Sequence, residues 1–162
     1  MFSNATRQAA TELLERYRSA GLKIATAESC TGGLVAAALT AISGSSDVVE
    51  RGFVTYTNEA KEHQLGVPRV TLLSYGAVSE PVARAMAEGA LRESLADVAV
   101  SVTGIAGPAG GTASKPVGLV HFGLARRGRP TQAERHVFPG DRDAVRHAAL
   151  ERALALLVQA AD

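Results

Sequence analysis

Hydrophobic positions recur along this chain with two different periods, and the periods alternate. Over about residues 4–20, Ala9, Leu13, Leu14 and Tyr17 fall on one side of a helical wheel, with Arg7, Glu12, Glu15 and Arg16 largely on the other. That pattern predicts an amphipathic helix stopped at Gly21. The β-rich run 23–26 predicts a first strand, and an Ala/Leu/Val-rich run after it predicts a helix ending near Ile42, before a loop at Ser43-Gly44-Ser45-Ser46. Residues 52–57, rich in β-branched and aromatic side chains, predict a second strand; Asn58 then caps a helix in which Lys61 is the third residue, and Pro68 ends that segment. Ser79 as cap and Pro81 in the first turn open a helix reaching about Leu95, whose Ala83, Met86, Ala87 and Ala90 form a small-residue face suited to close packing on a sheet. A third strand is predicted at 98–102. Runs 117–124 and 132–138, joined by Arg126-Arg127-Gly128-Arg129-Pro130, predict a hairpin, and 141–159 predict a last helix with Val145, Leu150, Leu154 and Leu157 inward.

Helices alternating with the first three strands imply parallel crossovers, whereas a hairpin demands an antiparallel pair. The expected fold is therefore α/β, a mixed sheet of about five strands with helices on both faces. The loops after Thr26, Thr57 and Val102 then leave the same sheet edge and bring Ser29, Lys61 and Thr103 towards one crevice.

Composition narrows the chemistry. A chain of 162 residues is expected to form one domain, 1–162, with a proper core. A formal charge of +1 and the lack of an aromatic-rich basic stripe argue against a nucleic-acid partner. The one cysteine, Cys30, excludes a disulfide scaffold within the chain, and the four histidines lack metal-ligand spacing, so no metal or cofactor is expected. With no signal peptide and no apolar run able to span a bilayer, the expectation is a cytoplasmic protein without a membrane partner. Its apolar helix faces permit a homo-oligomer.

The stretch 26–33, Thr-Ala-Glu-Ser-Cys-Thr-Gly-Gly, lies at a strand-to-helix turn. Ser29 and Thr31 are good N-caps, and a helix opening there would aim backbone N–H groups, those of Gly32 and Gly33 included, at a phosphate, a carboxylate or a developing oxyanion. A serine needs a base, and no Ser-His-Asp arrangement is evident; Lys61, near the positive end of its helix, is either an exposed surface lysine or, where burial keeps it neutral, the base that serves instead. Tyr56 is either a core aromatic or a phenol reaching the crevice as a proton relay. Cys30 is a rival nucleophile or a small buried residue, and Glu28 either orients the turn or pairs with a cation. Ser45 and Ser46 are further site hydroxyls or loop residues. The glycine-rich run 104–111 lacks P-loop and dinucleotide spacing but can wrap a ligand with its N–H groups. Lys115, Arg142 and Arg146 are candidate phosphate clamps, with Arg142 best placed, at the start of the last helix.

Taken together, Thr26-Ala-Glu-Ser-Cys-Thr-Gly-Gly33, Gly52-Phe-Val-Thr-Tyr-Thr-Asn-Glu-Ala-Lys61, Gly76-Ala-Val-Ser79, Val102-Thr-Gly-Ile-Ala-Gly-Pro-Ala-Gly-Gly111, Lys115-Pro-Val-Gly118 and Gly140-Asp-Arg-Asp-Ala-Val-Arg146 closely resemble the CinA C-terminal domain family, in order over almost the whole chain. The resemblance implies a three-layer α/β/α sandwich. It also implies, as in stand-alone nicotinamide-nucleotide amidases, hydrolysis of nicotinamide mononucleotide to nicotinic acid mononucleotide and ammonia in pyridine-nucleotide salvage. Longer members carry an N-terminal domain linked to pyrophosphatase chemistry, which is not expected of this chain. The family's serine-lysine chemistry falls on Ser29 and Lys61 with Tyr56 nearby, and Ser46 remains the rival nucleophile. Thr31, Gly32, Gly33, Ser46, Thr103, Gly104, Gly107 and Arg142 are expected to bind substrate. Thr57 stands where serine is frequent, and Ala109 where an acidic residue often stands. The alternatives are direct activation of water, an amidohydrolase of another carboxamide, or a non-catalytic nucleotide-binding module.

Overall fold

The computed structural model describes all residues from Met1 to Asp162. In chain order it contains α1 (Asn4–Ala20), β1 (Ile24–Glu28), α2 (Leu34–Thr40), a 3₁₀ turn (Ser45–Asp47), β2 (Val49–Val54), α3 (Asn58–Leu65), α4 (Arg69–Tyr75), α5 (Glu80–Arg92), β3 (Val98–Gly104), β4 (Leu119–Arg126), β5 (Gln132–Val137) and α6 (Arg142–Ala160). The five strands form one sheet in the order β2-β1-β3-β4-β5. β1 pairs parallel with β2 and β3, and β4 pairs antiparallel with β3 and β5. This is the expected mixed sheet with the expected hairpin.

Strand alternation sorts side chains to the two helix layers. Ile24, Val98, Val100, Val102 and Phe122 join the core made with α1, α2 and α6. Their neighbours Ala25, Ala27, Ala99 and Ala125 join the core made with α3, α4 and α5. Parallel strands buried on both faces explain why β1 and β3 read as near-continuous small and apolar runs.

The second layer sits close because its sheet face is small. Ser101 Oγ donates to the Ala83 carbonyl of α5 at 2.6 Å and accepts from the Gly123 N–H at 3.0 Å. A Cβ at Gly123 would collide with that same Ala83 carbonyl oxygen. Gly123→Ala is therefore expected to destabilise the fold by about 1–3 kcal/mol, the usual cost of overpacking, seen as a lower midpoint in chemical denaturation. An unchanged midpoint would mean that α5 can retreat freely.

Ser79 caps α5 as expected, accepting from Val82 N–H, and Asp141 caps α6 by accepting from Ala144 N–H. The departures are local. Thr57, not Asn58, caps α3 by accepting from Ala60 N–H, so Lys61 is the fourth helical residue. Ala10, not Ala9, faces the core from α1. β2 ends at Val54, so Tyr56 lies beyond the strand. Residues of α4 carried no predicted element: with only Leu72 buried, and Val70 and Leu73 exposed, this short helix has no apolar stripe to reveal it. No helix is long and apolar enough to cross a membrane.

Candidate active site

The C-terminal ends of β1, β2 and β3 meet at one sheet edge, where a cleft of about 270 Å³ is lined by Ser29, Cys30, Tyr56, Lys61, Thr103, Arg142 and parts of residues 77–78 and 104–110. Ser29 follows β1 directly, and Lys61 comes from the first turns of α3. The Lys61 side chain is 1% exposed. Its Nζ lies 3.1 Å from Ser29 Oγ, 2.8 Å from the Thr55 carbonyl oxygen and 3.4 Å from that of Tyr56.

These distances suit either protonation state of the amine. An ammonium has three N–H donors and can donate to all three oxygens. A neutral amine keeps two N–H bonds for the carbonyls of Thr55 and Tyr56, and its lone pair then faces the Ser29 hydroxyl as an acceptor. Burial favours the neutral form, pushing the Lys61 pKa down from its usual 10.5 to about 8. Burial has the opposite effect on the neighbouring thiol: Cys30 is pushed up to about 11, so it stays protonated and un-nucleophilic at neutral pH.

The turn after Ser29 is built differently from the expected N-cap. The helix cap of α2 is Gly33, with φ 103°, a left-handed conformation that a side chain would strain, and neither Ser29 nor Thr31 caps the helix. Glu28 takes that part instead, its Oε1 accepting from Val35 N–H at 2.9 Å and its Oε2 from Ala36 N–H at 3.0 Å. Several amides expected to face a ligand are thus occupied. Ser29 N–H donates to the Val102 carbonyl and Gly32 N–H to that of Ser29, whereas no backbone carbonyl accepts from the amides of Cys30, Thr31 or Gly33.

The other sequence-derived site residues separate into two groups. Thr103 and Gly104 at the end of β3, Gly107 in the following loop, and Arg142 line the cleft. Thr103 Oγ1 donates to the Ala77 carbonyl at 2.9 Å. Arg142 Nη1 donates to the Gly107 carbonyl at 2.8 Å, and its Nη2 to the Tyr56 phenol oxygen at 3.0 Å. Tyr56 is 59% exposed, and its hydroxyl bonds Arg142 rather than Lys61 or Ser29. Thr31, Gly32 and Gly33 belong to the turn but not to the cleft lining, and the Thr31 hydroxyl is buried without a partner. Ser46 is remote. It lies in the turn before β2, whose first residue, Val49, pairs with Ile24 at the start of β1, the opposite sheet edge from Ser29.

Two of the three cationic clamps are spent elsewhere: Lys115 Nζ donates to the Tyr75 carbonyl, and Arg146 to the carbonyls of Cys30 and Thr31. Sequence reasoning did not single out the apolar walls of the cleft, Ala77, Val78 and Ile105. Nothing in short apolar residues distinguishes a ligand wall from a core. A second hollow, of about 150 Å³, is lined by Arg126, Arg129 and Gln132 near the hairpin and holds neither nucleophile nor buried base.

Similar proteins share this architecture. The sequence profile of the CinA C-terminal domain matches residues 6–161. A CinA-like protein of Akkermansia muciniphila is 57% identical over 139 residues, 86% of this chain but 34% of that protein, so the chain spans about a third of the length of such relatives. The nicotinamide-nucleotide amidohydrolase PncC of Escherichia coli K12 is 52% identical over 145 residues, 90% of this chain and 88% of that one. The crystal structure of the competence/damage inducible protein CihA from Agrobacterium tumefaciens superposes with a TM-score of 0.96 at 48% identity, covering 98% of this chain and 97% of that chain. The profile match over nearly the whole chain and the shared fold make this chain a member of the CinA C-terminal domain family.

Proposed function

We propose that this chain, as one domain, hydrolyses the carboxamide of nicotinamide mononucleotide, releasing ammonia and nicotinic acid mononucleotide. The observation that carries the reading is the buried Lys61 Nζ, 3.1 Å from Ser29 Oγ, at the floor of a cleft. The name of the E. coli relative, a nicotinamide-nucleotide amidohydrolase, supplies the substrate class.

Neutral Lys61 takes the Ser29 proton directly as Oγ attacks the carboxamide carbon. The tetrahedral oxyanion draws on the Cys30 amide, the unspent amide of the turn whose residue lines the cleft, where a donor is typically worth about 3–4 kcal/mol. Lys61 returns the proton to the leaving nitrogen, the C–N bond breaks and ammonia departs. Lys61 then takes a proton from water, which attacks the acyl-enzyme ester; the C–O bond to Ser29 breaks, and the serine recovers its proton. Each step conserves protons between Lys61, Ser29 and water, and none calls for a metal.

Arg142, at the mouth beside the glycine-rich loop, holds the substrate phosphate, and Tyr56 steadies its guanidinium. Replacing Arg142 by Met is expected to raise KM for the mononucleotide about 10- to 100-fold with a smaller change in kcat, as for loss of a charge-assisted hydrogen bond. A selective fall in kcat would place Arg142 in the chemistry instead. The primary test is ammonia release from nicotinamide mononucleotide by purified protein. Tight binding without release would replace the amidase with a nucleotide-binding module.

A further inference from the structure

Arg142 and Arg146 stand one helical turn apart on α6 and grip different segments. Arg142 reaches the glycine-rich loop and Tyr56, as above. Arg146 reaches the turn that carries Ser29: Nε donates to the Cys30 carbonyl at 3.1 Å and Nη2 to the Thr31 carbonyl at 3.2 Å. A Cβ built at Gly32 would lie 3.6 Å from Nη2, so the guanidinium also lies along the backbone of that residue. It does not line the cleft.

In a trans peptide the C=O and the following N–H point in opposite directions. Holding the Cys30 and Thr31 carbonyls therefore orients the N–H groups of Thr31 and Gly32 as well. The Gly32 N–H is already caught by the Ser29 carbonyl at 3.0 Å, so the Thr31–Gly32 peptide is gripped at both ends. On the Cys30–Thr31 peptide the carbonyl is held and the N–H has no backbone acceptor. Before the turn, Ser29 N–H is tied to Val102; after it, Glu28 holds the first amides of α2. Arg146 is the side chain that fixes the middle. Arginine meets the two carbonyls with a rigid planar fork, whereas lysine would reach them from one point on a flexible stem.

We infer that Arg146 is a positioning residue for the Ser29 nucleophile: by clamping the Cys30 and Thr31 carbonyls it fixes the turn that carries Ser29 and so holds Ser29 Oγ against Lys61, without touching substrate. The inference rests on the reading of Ser29 as nucleophile. It assigns Arg146 to the enzyme's own backbone, not to the substrate phosphate.

The test compares wild type, R146M, R146K and R146A by steady-state kinetics, with thermal unfolding as a check on folding. R146M is expected to lose about 30- to 100-fold in kcat, the scale of a misplacement of about 1 Å, with KM within about threefold of wild type. R146K is expected to fall between the two, because an ammonium on a flexible stem replaces a fork. Guanidinium chloride well below denaturing concentration is expected to restore part of the R146A rate and none of the K61A rate, a response that a loss of packing alone would not give.

Wild-type kcat in R146M, or in R146K should R146M fail to fold, overturns the inference. So does a loss carried by KM, which would make Arg146 a substrate clamp. If wild type releases no ammonia, the proposed function fails on its own. The clamp is then read from the labelling rate of Ser29 by a fluorophosphonate, in which Oγ displaces fluoride from phosphorus and Lys61 takes the proton. A drop of the same size in R146M supports the clamp, and equal rates sink it.

Discussion

Lys61→Ala is expected to lower ammonia release from nicotinamide mononucleotide by about 10²- to 10⁴-fold, the range over which a positioned general base contributes. The fold should survive, because the change removes a buried amine whose three bonds all belong to the site. The thermal midpoint of the variant is the control.

The wild-type rate carries a second signature of the same group. The base acts as the neutral amine, and burial sets its pKa at about 8. Below that value the ammonium form dominates, so kcat/KM should rise about tenfold per pH unit on approaching pH 8 and level off above it; activity is lost as pH falls, not as it rises. A profile already flat from pH 6 to pH 9, or a Lys61→Ala rate near that of wild type, would remove Lys61 from the base's role.

Ser29→Ala should be as damaging, because nucleophile and base act as one unit, and removing either leaves only binding and oxyanion contacts; a loss of about 10³-fold or more in kcat is expected with KM little changed. The informative comparison is Ser46→Ala. Ser46 is exposed, at the far edge of the sheet from Lys61, and its removal should leave the rate within about twofold of wild type, as for surface substitutions generally. Mass spectrometry of the wild-type protein quenched during turnover should find the acyl group on the peptide carrying Ser29. Full activity in Ser29→Ala would instead assign the attack to a water activated by Lys61.

Much of the molecule was legible in the sequence because the signals that define its elements are local. Helical and strand periods, the Ser79 cap and the Gly21 stop each act over a few residues, so they survive in a linear reading. The parallel half of the sheet followed from helices alternating with the first three strands, and the antiparallel half from the short hairpin link. α4 escaped because its burial is a single leucine, and the Thr57 cap escaped because Asn58 beside it is equally competent.

What the chain alone determined, then, was the order and type of its elements, the edge of the sheet where a site would form, and the short set of side chains able to do chemistry there. Only the tertiary structure chose among them. It brought Lys61 to Ser29 across 32 residues while leaving Ser46 at the opposite edge, and it sent Arg146 across 116 residues to the carbonyl of Cys30. It also gave the amides at the start of α2 to Glu28, leaving them closed to a ligand. Hydrogen-bond partners and desolvation are properties of what surrounds a group in space. A lysine's pKa and an arginine's partners are therefore decided by packing between segments distant in the chain, which periodicity and caps do not encode.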